Sequence, residues 1–474
     1  MNKTNKIFSK AIAGLSFIIY LVFAFFLCKH NILPIKYRSL VLAVLFIIFL
    51  IYGILSYKNK IKGIGNIIFL IILLIITIAE LIFMSYVNTS IKTINEISQA
   101  DKSLKTEMSY IVRKDSAYKD LEDIKDLSLA IAETEDNKIL EEVLGKYKDQ
   151  YKKDLRKLKY IDYLSLGKSL LRGKEEVILL NESFRSLIDE AEEDFSKNTR
   201  KIGSVLVENR QEEKKEKEKV ALDDSFNVYI SGIDTYGSLS NVSRSDVNLV
   251  VSVNPTRGKV LITTIPRDSY VNIPGKGMDK LTHAGLFGVD SSIETIENLF
   301  DIKIDYFGKV NFTTLTELID VLGGIDVESP RAFTAQGYNF VQGTNHLDGD
   351  MALAFARDRY HQAEGDFDRG KNHTRIIEAI IRKMLRPEIL LNFGDISQVA
   401  LKSVNTDMPY EKMIELVNKQ IDSGTRWDIE SQALSGSGTM DQKSVLMPDA
   451  KLYMMIPSDE SVKEVEGKIK ENNK

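Results

Sequence analysis

"RSDVNLVVSVNPTRGKVLITTIPRDS" (Arg244–Ser269) contains two runs rich in β-branched residues, Val247–Asn254 and Lys259–Asp268, which read as strands. A third such run, "FNVYISGID" (Phe226–Asp234), precedes them. Beyond them the pattern turns helical. "SSIETIENLF" (Ser291–Phe300) starts on serine, and "FTTLTELIDVLGGIDV" reads as a helix stopped by Gly323-Gly324 and followed by a short strand. "LDGDMALAFAR" and "RGKNHTRIIEAIIRKML" are two more amphipathic helices. Alternation of this kind predicts an α/β domain, a mixed central sheet flanked by helices.

The whole chain has 474 residues, which calls for two or more structural units. Its hydrophobic and charged fractions, 44% and 27%, are near globular averages. They hide an asymmetry, because the first stretch of the chain is almost purely apolar. A net charge of -4 argues against a general nucleic-acid binder, which would carry a basic surface. The single cysteine, Cys28, excludes an intrachain disulfide and a cysteine-based zinc site. The five histidines (His30, His283, His346, His361, His373) lack the spacing of a histidine metal site.

Three apolar stretches, uncharged over 11–28, 39–57 and 63–79, predict membrane-spanning helices over about 11–28, 39–57 and 63–84, each near the ~20 residues needed to cross a bilayer. The first has a basic start, but its apolar run is longer than that of a signal peptide and no A-x-A site precedes Lys29. Lys3, Lys6 and Lys10 in the tail and Lys58, Lys60 and Lys62 in the second loop outnumber Lys29, Lys36 and Arg38 in the first loop. The positive-inside rule then puts tail and second loop in the cytoplasm and everything after about Val87 outside the cell, as a multi-pass membrane protein. Glu80 falls near the outer end of the third helix, where a carboxylate is tolerated.

Residues 90–220 read as a small extracellular α/β accessory domain and linker. "YLSLGKSLLRGKEEVILLNESFRSLIDEAEEDF" gives helix, strand and helix with no catalytic constellation, and "QEEKKEKEKV" (Gln211–Val220) is a solvated segment whose charges cancel. We place the α/β domain that contains the three opening strands at 221–390. In 391–474, the helix "YEKMIELVNKQI" and the strand "KLYMMIP" are expected to pack on that domain or extend it.

Polar residues gather at the predicted strand ends, where ligands bind in open α/β sheets. Asp234 ends the first strand, Arg244 and Asp246 precede the second, and Arg267 and Asp268 end the third. "LAFARDRYHQAEGDFDRG" (Leu353–Gly370) adds Arg357, Arg359 and Arg369. Guanidinium forks match phosphate oxygens, and several converging forks suit a pyrophosphate. Asp234 and Asp246 can hold Mg²⁺ with a phosphate as a further ligand. Metal and arginines together would neutralise a phosphoryl leaving group. The same residues also read as ordinary structural ion pairs and a solvated helix end, and composition alone leaves both open. Asp358, Asp366 and Asp368 fit counter-ions of the arginines better than metal ligands.

At these residues the sequence resembles the LytR-CpsA-Psr (LCP) family of cell-wall glycopolymer transferases. The motifs are "SGID", "RSDVNLVVSVNP", "ITTIPRDSYVNIPG", "DKLTHA", "FTTLTELIDVLGGIDV", "GTNHLDGDMALAFARDR" and "DFDRGKNH", in order over about Ser225–Leu385. Three membrane helices, an intervening domain and this domain look most like the streptococcal capsule-associated members. The resemblance implies Mg²⁺ at Asp234 and Asp246, and pyrophosphate at Arg244, Arg267, Arg357, Arg359 and Arg369. It gives catalytic roles to Arg267, Asp234 and Asp246. His373 stands where relatives commonly have glutamine; it retains a hydrogen-bonding role whose charge depends on pH. Lys280 lies in a family motif and is either a phosphate contact or structural.

The implied reaction moves a glycan from polyprenyl pyrophosphate, here capsular polysaccharide, to peptidoglycan through a phosphodiester, with the lipid chain in an apolar tunnel. Asp234 or Asp268 is the candidate base for the acceptor. Implied partners are the lipid-linked glycan, peptidoglycan, the bilayer and other capsule-assembly membrane proteins, with no nucleic acid. Two competing readings use the same residues: a non-catalytic membrane regulator of capsule assembly, and a polyprenyl pyrophosphatase with water as acceptor. The topology is tested by fusing a reporter after Lys474: one that works only outside the cell should be active, and one that works only in the cytoplasm should be silent.

Overall fold

The computed structural model describes all residues except 1–2, 59, 62, 101–102, 134–136, 193, 211–219, 222–223, 234–242, 359–365, 387–403 and 449. Only the backbone is described for 3–8, 90, 93–100, 103–105, 208–210, 312, 366–370 and 410. Asp234 and Arg359 therefore lie outside the described residues, and Arg369 is described by its backbone alone. The chain divides into two compact units, Met1–Ser98 with Arg382–Leu401 and Met408–Trp427, and Gln99–Ile381 with Lys402–Asp407 and Asp428–Lys474.

The first unit contains helices α1 (Lys3–Lys29), α2 (Ile35–Tyr57) and α3 (Ile64–Ala100). Three spans within them, Ser9–Lys29, Ile35–Tyr57 and Ile64–Thr89, are long and apolar enough to cross a membrane. Tyr20, Phe49, Tyr52 and Leu73 form their common core. Polar side chains inside satisfy one another: Tyr52 donates to Asn66 (3.3 Å), and Asn66 donates to Ser9 (3.1 Å). The third span runs further than its sequence reading, so Glu80 lies well inside it and is buried instead of sitting at its outer end. In the same unit, helix Tyr410–Ser423 matches the reading of "YEKMIELVNKQI". Trp427 donates to Gln420 at 2.7 Å, a packing role.

The second unit contains two principal sheets. The first has β1 (Ser103–Arg113), β2 (Ser128–Ala132), β3 (Arg156–Tyr160), β4 (Val177–Asn181) and β5 (Thr199–Arg210), in the order β3-β2-β4-β1-β5. Around them lie α4 (Asn137–Tyr151), α5 (Tyr163–Leu171), α6 (Arg185–Ala191) and α7 (Phe195–Asn198). Alternating side chains fill two cores, as strand geometry requires. Met108, Tyr110, Val112, Leu129 and Ile131 face Val143 and Tyr147 of α4. Ile111, Ala130, Ile178 and Leu180 face the opposite way and join Leu166, Leu187 and Ile188. That second core also takes in Leu286, Met447, Leu452 and Met454 from much later in the chain.

The second sheet comprises β6 (Phe226–Ile233), β7 (Val247–Asn254), β8 (Lys259–Thr264), β11 (Tyr306–Asn311), β12 (Asn405–Thr406) and β13 (Asp428–Ala433), in the order β12-β11-β6-β7-β8-β13. It is mixed: β7 is antiparallel to β6 and β8, whereas β11 runs parallel to β6 and β13 parallel to β8. Both edge strands come from beyond residue 390, so the C-terminal segment extends this sheet. On one face Tyr229, Val250 and Leu261 pack with Ile293, Ile296 and Phe300 of α9 (Val289–Phe300) and with Val465 and Ile469 of the C-terminal helix Asp459–Asn472. The helices α10 (Phe312–Val321), α11 (Gly349–Arg357) and α12 (Asp366–Met384) follow in the chain. α10 and α11 approach so closely that a Cβ on Gly349 would lie 2.5 Å from the Thr316 carbonyl oxygen.

A short hairpin, β9 (Tyr270–Ile273) and β10 (Gly277–Lys280), leads into helix α8 (Leu281–Ala284). Here Asp279 is fully buried. Its Oδ1 meets His283 Nδ1 at 2.8 Å and accepts from the Lys280 N–H, while Oδ2 accepts from Ser444 Oγ (2.8 Å) and the Leu446 N–H (3.0 Å). Burial pushes this carboxyl up, but the His283 hydrogen bond and charge and the backbone donors outweigh it and hold the pKa below its usual value. A depressed pKa stabilises the fold above the unfolded-state value and ceases to do so as pH falls through the folded-state value. We predict that Asp279→Asn, which turns an amide N–H toward donors, lowers unfolding free energy by about 1–3 kcal/mol at pH 7. Denaturant unfolding of the full chain in detergent should also show that acidification below about pH 4 destabilises wild type more than the variant.

Candidate functional site

The strand register builds one end of the second sheet. Gly232 pairs with Val247, Thr264 with Leu249, and Asn311 with Ile233. The end of β6, the start of β7, the end of β8 and the end of β11 therefore share one edge. Main-chain hydrogen bonds stitch the adjoining loops. Asp246 N–H donates to Gly232 O (2.8 Å), Ser245 N–H to Thr282 O (3.3 Å), and Thr282 N–H to Arg267 O (2.9 Å). Gly285 must lack a side chain here, because a Cβ would lie 2.7 Å from Ser243 O and 2.8 Å from Ser245 N.

On this frame Arg267 Nη1 donates to Asp246 Oδ1 at 2.9 Å and Arg267 Nε lies 3.6 Å from Asp268 Oδ2. Lys280 Nζ lies 2.6 Å from Asp268 Oδ1, and both of these side chains are buried. Asp246, Arg267, Asp268 and Lys280 thus form one chain of alternating charge. Arg244 directs Nη1 to Glu190 Oε2 of α6 at 2.5 Å. Arg357 occupies the last turn of α11 and His373 an early turn of α12. α12 is tied down by Asn372 Nδ2 donating to Phe355 O (3.2 Å) and by the Thr374–Thr264 hydroxyl pair (2.5 Å).

A cavity that opens to solvent lies beside these groups. Ile230, Ile233, Val247, Val310, Leu315, Ile376 and Ile377 give it apolar walls, and Asp246, Arg357 and His373 give it polar ones. Three of the residues singled out from sequence, Asp246, Arg357 and His373, therefore meet at one cavity. Arg267 and Lys280 reach it through the ion-pair chain, and Arg244 precedes Asp246 in the loop. Sequence reasoning missed the role of Asp268 as shared counter-ion, although its place beside Arg267 at a strand end was a usable signal. It also missed Glu190, one acid among many in its segment.

The arrangement defines an α/β protein with three membrane-length helices and a charged cluster beside an apolar-walled cavity. The sequence profile of the LytR_cpsA_psr family matches residues 195–466, more than half of the chain, and the protein belongs to that family. A profile described as DNA polymerase processivity factor matches 62–180. That segment includes a membrane-length helix and stops before β5, the strand paired along β1, so it corresponds to no complete structural unit here.

Among curated relatives, the polyisoprenyl-teichoic acid–peptidoglycan teichoic acid transferase TagU of Halalkalibacterium halodurans is 34% identical over 265 residues, 54% of this chain and 84% of the relative. TagU of Bacillus subtilis is 36% identical over 218 residues, 46% of this chain and 70% of the relative. The solved structure of the LytR-CPS2A-psr family protein YwtF (TagT) with bound octaprenyl pyrophosphate lipid is 27% identical, covering 54% of this chain and 93% of that one at a TM-score of 0.41.

The Lys280–Asp268 pair yields a test. Removing Lys280 takes away the nearer of two cations beside the buried Asp268 carboxylate and leaves Arg267 Nε at 3.6 Å. Lys280→Met should therefore cost about 1–3 kcal/mol, and Lys280→Met combined with Asp268→Asn should recover part of the loss. Denaturant unfolding of the single and double variants measures both.

Proposed function

We propose that the protein transfers a polyprenyl-pyrophosphate-linked glycan to peptidoglycan outside the membrane, by Mg²⁺-dependent phosphotransfer. The carrying observation is the apolar cavity with Asp246, Arg357 and His373 on its wall and the Arg267–Asp268–Lys280 chain beside it. The apolar part would take the lipid and the charged part its pyrophosphate. The relatives named above are teichoic acid transferases. We read the glycan here as capsular polysaccharide, from the layout of three apolar helices, intervening sheet and family domain.

Asp246 supports a metal at this site, while Asp234, the second proposed ligand, lies outside the described residues. Asp246 is a hard oxygen donor on the cavity wall, and Mg²⁺ is commonly held by one or two carboxylates with substrate phosphates. Asp246 with Asp234 would hold it, and the ion would supply charge neutralisation at the transferring phosphorus. Arg267 and Arg357 would bind the phosphate oxygens and stabilise charge developing on them, as preorganised donors do. His373 would donate a hydrogen bond. In the reaction an acceptor hydroxyl forms a new P–O bond, the bond to the lipid phosphate breaks, and lipid monophosphate leaves. Asp268, held between Lys280 and Arg267, serves as their counter-ion, which leaves Asp234 as the candidate for the acceptor proton.

We predict that Arg267→Ala or Arg357→Ala lowers transfer by about 10²–10³-fold while membrane insertion is retained. Ile376→Trp, which fills the cavity, should abolish use of long-chain lipid donors. Wall-linked polymer measured in cells, with capsular and teichoic acid donors compared in vitro, checks each. Normal wall attachment in both arginine variants would overturn the assignment.

A further inference from the structure

We propose that Glu190 competes with the substrate's phosphate for Arg244, so that the five-stranded sheet region sets the affinity of the pyrophosphate site. The inference rests on the function proposed above and extends its pyrophosphate contacts to Arg244, which lies two residues before the cavity-wall Asp246 in the same loop.

The pair is a built feature. Glu190 lies in the last turn of α6, and Leu187 and Ile188 of that helix are buried in the core shared with Leu286, Met447 and Met454. The carboxylate therefore arrives from a part of the chain far from Arg244, on a helix anchored to the segments that carry the site. A carboxylate at a helix C-terminus is electrostatically unfavourable for the helix itself. Its placement is explained by what it faces: Arg244 at 2.5 Å, with Lys280 and His283 also acting on it. Burial pushes the Glu190 carboxyl up, but those positive groups, Arg244 first, outweigh burial and hold its pKa below the usual value. Glu190 is thus an anion at neutral pH.

Charge balance shows the consequence. Arg244, Arg267 and Lys280 each have a carboxylate within ion-pair distance: Glu190, Asp246 and Asp268. Asp246 and Asp268 belong to the strand-end loops and hold the frame together. Glu190 alone comes from the other sheet region. Its side chain is 37% exposed against 18% for Arg244, so water can solvate the carboxylate once it is released, while the guanidinium stays in place. A phosphate oxygen is a stronger, multiply charged acceptor for the same fork. Exchange of Glu190 for phosphate at Arg244 needs only a side-chain rotation, since the backbone of α6 is held by the core.

The test is binding of geranylgeranyl pyrophosphate to the full chain in detergent, by calorimetry at fixed salt. Glu190→Gln keeps shape and removes charge; it should tighten binding roughly three- to tenfold. In an Arg244→Ala background the same substitution should change nothing. Unchanged or weaker binding by Glu190→Gln overturns the proposal, as does a gain that persists without Arg244. Wild type that binds the probe, and loses it on Arg267→Ala, upholds the site assignment whatever Glu190 does. Wild type that fails to bind removes the assignment and the inference together.

Discussion

The constraint on which the site depends is the register of β6, β7 and β8. Two antiparallel pairings, Gly232 with Val247 and Leu249 with Thr264, bring the end of one strand, the start of the next and the end of the third to a single edge. A slip of one residue would turn every side chain to the opposite face. Tyr229 would leave the core it shares with Ile296 and Phe300, and Ile230 would leave the cavity wall. Burial on both faces therefore enforces the register, and the register enforces the meeting of Asp246 with Arg267.

Gathering cations in a partly dry site carries a desolvation cost, which the structure offsets by alternation. Asp268 sits between Lys280 and Arg267, and Arg267 sits between Asp268 and Asp246. A buried pair of this kind adds little net stability over an apolar substitute. Its effect is orientation: side chains already held by fixed carboxylates would lose little freedom on meeting the phosphate of the proposed substrate.

Much of the second sheet was legible because its strands are continuous β-branched runs and its helices carry clear apolar periodicity. The arginines at strand ends stood out through their chemistry, and the structure puts Arg267 against Asp246 and Arg357 on the cavity wall. Pairings between distant segments were not. Nothing local in "DKLTHA" says that Lys280 meets Asp268, and nothing near Glu190 points to Arg244 some fifty residues on. The first sheet was under-read for a related reason. β3 is "RKLKY", a largely solvated edge strand, and β1 and β5 are rich in polar residues, so only the buried run at β4 stood out. In the apolar region the third span was read to about residue 84, whereas the structure carries it to Thr89, which places Glu80 well inside it and buried.

The shared core changes what the five-stranded sheet can be. Two domains joined only by a linker would move independently, and a contact such as Glu190–Arg244 would be incidental. Here Ile178, Leu180, Leu187 and Ile188 bury themselves against Leu286, Met447, Leu452 and Met454 in one contiguous cluster, and Asp279 binds the Ser444–Leu446 loop that supplies part of it. Separating the sheets would expose that cluster to water, at ~25 cal/mol for each Å² of apolar surface. The first sheet is therefore part of the framework that fixes α6, and with it Glu190, against Arg244.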